Sequence, residues 1–248
     1  MFSDADSRVL QPLWDLMVNL LGADMVGHPS LFVASVMATV IIAGVAFSII
    51  DVFFTHKMTF NAAFKYLAIT LPGYVLFFSF LQWLPITFRF PVPAHAPTLV
   101  EFFRDFIICM IVGDIISYWW HRLEHGSSLV FKKVHHVHHA VESPLTVWSG
   151  FYVHPVESLC VFSTFYIYPL IFQVHPLTFV IYAAANTFIT MVTHCGYNIP
   201  GYPKFLFASA PMHEHHHADK KAVNFCVLLT LSDRLFGTYK APVLQEVR

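Results

Sequence analysis

The stretch PMHEHHHADKK, residues 211–221, can be read in two ways that lead to different folds. As H-E-x-x-H it puts His213 and His217 on one ion with Glu214 activating water, the pattern of a zinc protease helix. As H-x-x-H-H it sets His213, His216 and His217 on one helix face, with His215 turned about 100° away and no carboxylate required. The second reading needs further imidazoles from elsewhere in the chain.

The rest of the sequence supplies them. In WWHRLEH, His121 and His125 stand four residues apart, on one helical face and within reach of a shared ion. In VHHVHHA, His135, His138 and His139 repeat the H-x-x-H-H spacing while His136 points away. His194 ends a long apolar run. Nine imidazoles result, enough for two metal ions with four or five ligands each and an open position for a small molecule. A zinc protease would leave the upstream histidine clusters unexplained. A metal transporter would string its histidines through the depth of the membrane, whereas these collect toward one face.

Composition places that cluster in a membrane protein. Of 248 residues, 56% are hydrophobic and only 12% charged, and the mean hydropathy is +0.60. A formal net charge of -1 without a basic run excludes an electrostatic footprint for nucleic acid. Cys109, Cys160, Cys195 and Cys226 lack zinc or redox spacing and read as reduced, packed thiols. The acidic opening MFSDADSR does not read as a secretory signal, and the QEVR ending carries no lipidation motif.

Residues 25–50 and 66–88 contain no Asp, Glu, Lys or Arg, so each is long enough to cross about 30 Å of hydrocarbon. A third run, from Glu101 to Trp120, carries Arg104, Asp105 and Asp114 and ends in the interfacial aromatics Tyr118, Trp119 and Trp120. Residues 158–203 are again free of those charges, are broken at His175-Pro176, and hold two crossings as a helical hairpin. The expected fold is therefore all-α, a multi-pass bundle of four or five spans with a histidine-rich cytosolic cap holding a dinuclear metal site. Residues 1–30, with Leu10, Trp14, Met17, Leu20 and Leu21 on one side, read as an interfacial amphipathic segment. Residues 31–248 form the main domain, with its histidine boxes in 113–238.

The basic residues orient the bundle. Lys57, Lys65, Arg122, Lys132, Lys133, Lys204, Lys220, Lys221, Arg234, Lys240 and Arg248 all fall on one side when the N-terminus is outside. Arg89 is the exception. This topology brings all nine imidazoles, and His154, to the cytosolic face. Asp114, two turns before His121, is expected to orient a ligand imidazole. His154, followed by Pro155, is read as a hydrogen-bond partner or an additional ligand, and Glu157 as a helix-dipole or ligand-orienting carboxylate. His28, His56, His95 and His175 read as interfacial, and Phe77, Phe78 and Phe80 as lipid contacts.

GDIISYWWHRLEH, KKVHHVHHAVESP, VHPVE, PMHEHHH and LSDRLFGTY, spread over residues 113–238, together resemble the fatty acid hydroxylase and sterol desaturase superfamily of membrane non-haem di-iron oxygenases. HCGYNIPGY is similar to a segment of the sterol 4-methyl oxidases and cholesterol 25-hydroxylases in that superfamily. Ser232 departs from the usual Trp, and Thr190 stands where some members carry a further His. The resemblance implies two iron ions, zinc being a possible substitute, held by His121, His125, His135, His138, His139, His194, His213, His216 and His217. It implies a monooxygenase that takes dioxygen and hydroxylates an unactivated C–H bond of a sterol or other lipid, with desaturation as the alternative outcome. Electrons would come from an external donor such as cytochrome b5 or ferredoxin with its reductase, since the chain has no dinucleotide, haem or iron–sulfur motif. Lys132, Lys133, Lys220 and Lys221 offer that donor a basic docking patch. The membrane would be the endoplasmic reticulum in a eukaryote and the inner membrane in a bacterium.

Overall fold

The computed structural model describes residues 8–55, 90–141, 144–219 and 223–241. The expected span at 66–88 lies outside them, as do Lys57, Lys65, Phe77, Phe78, Phe80, Arg89, His56, Lys220, Lys221 and Arg248. Among the described residues every regular element is helical, and the sole strand-like contact is an isolated bridge between Phe207 and Leu229.

Helix α1 (Gln11–Leu21) stops where Gly22 adopts φ 77°, a left-handed conformation that a side chain would resist. Leu10, Trp14, Met17 and Val18 pack inward, and the buried Trp14 indole donates to the Pro93 carbonyl at 3.0 Å. Leu13, Leu16, Leu20 and Leu21 are exposed. The single apolar side expected from the sequence is thus two: one face fixed to the protein, the other uncovered. The short turn α2 (Ala23–Val26) leads into α3 (Ser30–Ile49), which widens into a π-helical turn at Ile50–Phe54.

Helix α4 (Leu99–Gly126) begins with a reciprocal capping box, Thr98 accepting from the Glu101 N–H and Glu101 accepting from the Thr98 N–H. A short helix α5 (Ser128–Lys133) and a 3₁₀ stretch His135–Ala140 follow. The hairpin of α6 (Pro155–Ile171) and α7 (Pro176–His194) is made of two His-Pro starts. In each, proline occupies the first turn, where a missing N–H costs nothing, and the preceding imidazole Nδ1 accepts an N–H two residues on. Helices α8 (Ala210–Asp219) and α9 (Leu231–Leu235) complete the described fold.

Helix α3 lies along α7, and α4 packs against α6, α7 and α9. Among the described residues two helices are long and apolar enough to cross a membrane: Ser30–Phe54, with mean hydropathy 2.4, and Pro176–His194, with 1.4. The first presents most of its surface outward. Helix α6, at 17 residues, is apolar but shorter. Trp148 fixes the loop before α6 onto α3: its ring lies over Gly44, where a Cβ would come within 2.5 Å, and its indole donates to Ser48 Oγ at 2.8 Å.

Asp114 differs from its expected role. Its buried carboxylate accepts from the Leu229 N–H at 2.9 Å, the Ser232 N–H at 3.2 Å and the Ser232 hydroxyl at 2.7 Å. It ties α4 to the segment at the start of α9, and none of these hydrogen bonds reaches an imidazole of the cluster. Ser232 supplies two of these donors.

Candidate metal centre

The cluster assembles at the ends of helices and in the loops between them. Helix α4 brings His121 and His125, α7 brings His194, and α8 brings His213, His216 and His217. His135, His138 and His139 arrive on 3₁₀ backbone where a continuous α-helical face was expected. On this backbone the His135 ring lies 4.7 Å from that of His139 and 5.5 Å from that of His138.

The nine imidazoles form two adjacent groups. His121, His125, His135, His139 and His216 offer one nitrogen each within 4.8 Å of one another; His138, His194, His213 and His217 do the same. Each H-x-x-H-H box is divided between the groups, so neither box belongs to one ion alone. The rings of His139 and His217, from different groups, lie 4.4 Å apart. Of the other histidines, His154 caps α6, His136 is exposed, and His28, His95 and His175 lie outside both groups. Glu214 also lies outside them; its Oε1 accepts from the Leu145 N–H at 3.2 Å.

Hydrogen bonds at the back of the rings fix which nitrogen faces inward. His121 Nδ1 lies 2.6 Å from the Phe225 carbonyl, His194 Nδ1 2.7 Å from that of Thr190, and His216 Nδ1 2.7 Å from that of Val223. A carbonyl only accepts, so each Nδ1 carries the proton and each neutral ring turns a bare Nε2 lone pair inward. His194 Nε2 and His216 Nε2 are buried with no hydrogen-bond partner among the described residues. His121 Nε2 lies 3.2 Å from His135 Nε2, which in turn lies 3.0 Å from His125 Nε2. In the second group His217 Nε2 is 3.1 Å from both His138 Nε2 and His213 Nε2. Nitrogens this close either share a proton between neighbouring rings or surround a cation, and the second arrangement is the fit expected of a metal site.

Electrostatics keep the rings in the ligating form. Burial, reinforced by neighbouring imidazoles, lowers His121 and His125 to about 3 and His217 to about 2. The same causes hold His135, His138, His213 and His216 far below the usual range. An all-nitrogen donor set suits iron, zinc, copper or nickel and disfavours magnesium and calcium.

A second layer of residues holds the rings. Glu157 Oε1 lies 2.9 Å from His135 Nδ1, and Glu124 Oε2 lies 3.5 Å from the same atom. Burial raises both carboxyl groups above the ordinary range, the charge of Glu124 adding to the rise at Glu157. Asp233 clamps the segment that supplies the Phe225 carbonyl, accepting from the Phe225 and Cys226 N–H groups at 3.0 and 2.9 Å. Asn224, at φ 55°, joins that segment to Met212 and Lys240. Gly150 lies against His194, where a Cβ would come within 2.8 Å of Nδ1. Sequence reasoning missed Glu124, Gly150, Asn224 and Asp233. The position of Glu124, one helical turn after Trp120 and between two ligand histidines, was the available signal for the first.

A cavity opens onto both groups, touching His121 and His135 from one and His138, His194 and His213 from the other. Its volume is about 110 Å³ and it is partly open, and Val36, Val161, Phe162 and Phe165 make its other wall largely apolar.

A helical chain with long apolar helices and a paired imidazole cluster facing an apolar cavity defines a class: helical proteins with a candidate metal site beside an apolar cavity. Within that class the chain belongs to the fatty acid hydroxylase family, whose profile matches residues 106–238, more than half of its length. A cholesterol 25-hydroxylase-like protein of Danio rerio is 29% identical over 69% of this chain and 70% of its own. Methylsterol monooxygenase 1-1 of Arabidopsis thaliana is 26% identical over 82% of this chain and 66% of its own. Fatty acid hydroxylase domain-containing protein 2 of Homo sapiens is 29% identical over 71% of this chain, which spans about half of that relative. No solved structure matches the chain.

Proposed function

We propose that the protein is a membrane-embedded, dioxygen-dependent lipid hydroxylase whose two histidine groups each hold one iron ion. The observation that carries the reading is the paired convergence of buried imidazole nitrogens beside an apolar cavity. Family membership makes the protein an oxidoreductase acting on lipids, and hydroxylation of a sterol or related lipid is the outcome favoured by the relatives' names. Iron is favoured over zinc by that membership and by the ligand number, since hydrolytic zinc sites use about three protein ligands.

When bound, a ferrous pair supplies the dioxygen-activating redox chemistry that amino-acid side chains lack. The chain's own residues do the rest. His121, His125, His135, His139 and His216 hold one ion, and His138, His194, His213 and His217 the other. The Phe225, Thr190 and Val223 carbonyls fix the tautomers, and Glu157 with Glu124 braces His135. The apolar cavity wall excludes water and lays a lipid's hydrocarbon against the nitrogen-lined end.

Residues 1–30 are proposed to form an interfacial segment, the uncovered Leu13, Leu16 and Leu20 of α1 meeting lipid, and residues 31–248 the catalytic domain. The histidine end faces the cytosol in this reading, where the exposed Lys132 and Lys133 meet an external electron donor of the cytochrome b5 or ferredoxin kind. Anaerobic loading with ferrous iron, followed by labelled dioxygen, a reductant and a membrane lipid extract, tests the proposal. The expected product is a lipid alcohol carrying one labelled oxygen; a loaded protein that labels no lipid refutes it.

A further inference from the structure

One polar side chain on the cavity wall has no part in the metal centre. Asn186 lies in the middle of α7, on the cavity-facing stripe that continues through Thr190 to His194. It is buried, and its Oδ1 has no hydrogen-bond partner among the described residues. Neighbouring hydroxyls are already used: Thr187 donates to the Ala183 carbonyl at 2.8 Å and Ser117 to the Asp114 carbonyl at 3.1 Å. The other unpartnered buried atoms on this wall belong to histidines, to Glu124 and Glu157, and to Trp120 beside His121. An unpaired amide oxygen inside an apolar span is costly and is ordinarily matched by a ligand or partner.

The surroundings select the ligand's chemistry. Among the described residues lining the cavity there is no Lys or Arg, so a carboxylate or phosphate brought to Asn186 would be left uncompensated. A hydroxyl both donates and accepts, and pairs with either end of the amide. Eight residues separate Asn186 from His194, about 12 Å along a helix axis.

We infer that Asn186 is the anchor for the hydroxyl group of an uncharged lipid alcohol, and that the carbon presented to the histidine end lies about 12 Å from that hydroxyl. The inference rests on the reading of the histidine cluster as the oxidising centre. It makes the enzyme act on an already hydroxylated lipid, at a carbon remote from the existing oxygen. Oxidation beside that oxygen would need the hydroxyl at the metal end, where imidazoles occupy the wall.

The test compares equilibrium binding of radiolabelled cholesterol and of its 3-deoxy counterpart, cholest-5-ene, to the purified full-length protein in detergent, with iron per chain measured on the same samples. The wild-type protein is expected to bind the alcohol about tenfold more tightly, as one added hydrogen bond of about 1.4 kcal/mol gives. Asn186→Leu is expected to abolish that preference while leaving iron content unchanged. Equal wild-type binding of the two lipids, binding of neither, or an Asn186→Leu protein that keeps the preference overturns the anchor. In each of those cases two irons per chain leave the metal reading standing. A tenfold preference in a protein that takes up no iron supports the anchor and removes the metal reading instead. The wild-type comparison decides the matter even where the leucine variant fails to fold.

Discussion

Replacing Gly150 by alanine should damage one metal group and spare the other. The added Cβ would stand 2.8 Å from His194 Nδ1 and 3.0 Å from its Cγ, about 0.6 Å inside the 3.4 Å at which ordinary contact begins. The ring has little room to yield: Nδ1 is held 2.7 Å from the Thr190 carbonyl, and the His213 ring lies 4.2 Å away, centre to centre. Metal–ligand distances tolerate about 0.2 Å, so a displacement of this size removes His194 from its group of four. Overpacking of this kind costs about 1–3 kcal/mol, and each kcal/mol lowers the melting midpoint by about 2–4 °C in a chain of this size. Elemental analysis of Gly150→Ala should find about one ion per chain in place of two, with a midpoint several degrees lower. Gly126→Ala is the control, because a Cβ there meets nothing within 4 Å. Full metal content and an unchanged midpoint in Gly150→Ala would refute the placement of His194 beside that glycine.

Other consequences are equally specific. Glu157→Ala removes the carboxylate 2.9 Å from His135 Nδ1 and should weaken metal binding by about 10–100-fold, read by chelator competition. Glu214→Gln should leave metal content and lipid oxidation unchanged, since Glu214 holds the Leu145 N–H and lies in neither group; loss of activity would restore the protease reading. In metal-stripped protein, His121 and His125 stay neutral down to about 3 while the same side chains in the unfolded chain protonate near 6.5. The unfolded state then binds more protons, so stability should fall as pH drops from about 6.5 toward 3, followed by denaturant midpoints at each pH.

The imidazole spacing was legible because ligands on one helix must recur at three or four residues, and the charge-free runs because hydrocarbon tolerates little else. The His-Pro pairs at 154–155 and 175–176 marked both starts of the hairpin for the same local reason. What the sequence hid depends on contacts between distant segments. Nothing near His121 or His216 announces that the carbonyls of Phe225 and Val223 will orient them. Gly150 resembles any loop glycine until His194 is laid against it, and Asp114 acquires its partners only when α9 docks on α4. The 3₁₀ winding of 135–140 is likewise imposed by its surroundings, since the H-x-x-H-H spacing suits an α-helix equally well.

The count of iron atoms per chain in active protein bears most directly on the central claim. Two irons are predicted in the wild type, falling to about one when His194 is replaced by alanine and the group of four loses a ligand. An active preparation holding a single iron, or none, would contradict the paired centre.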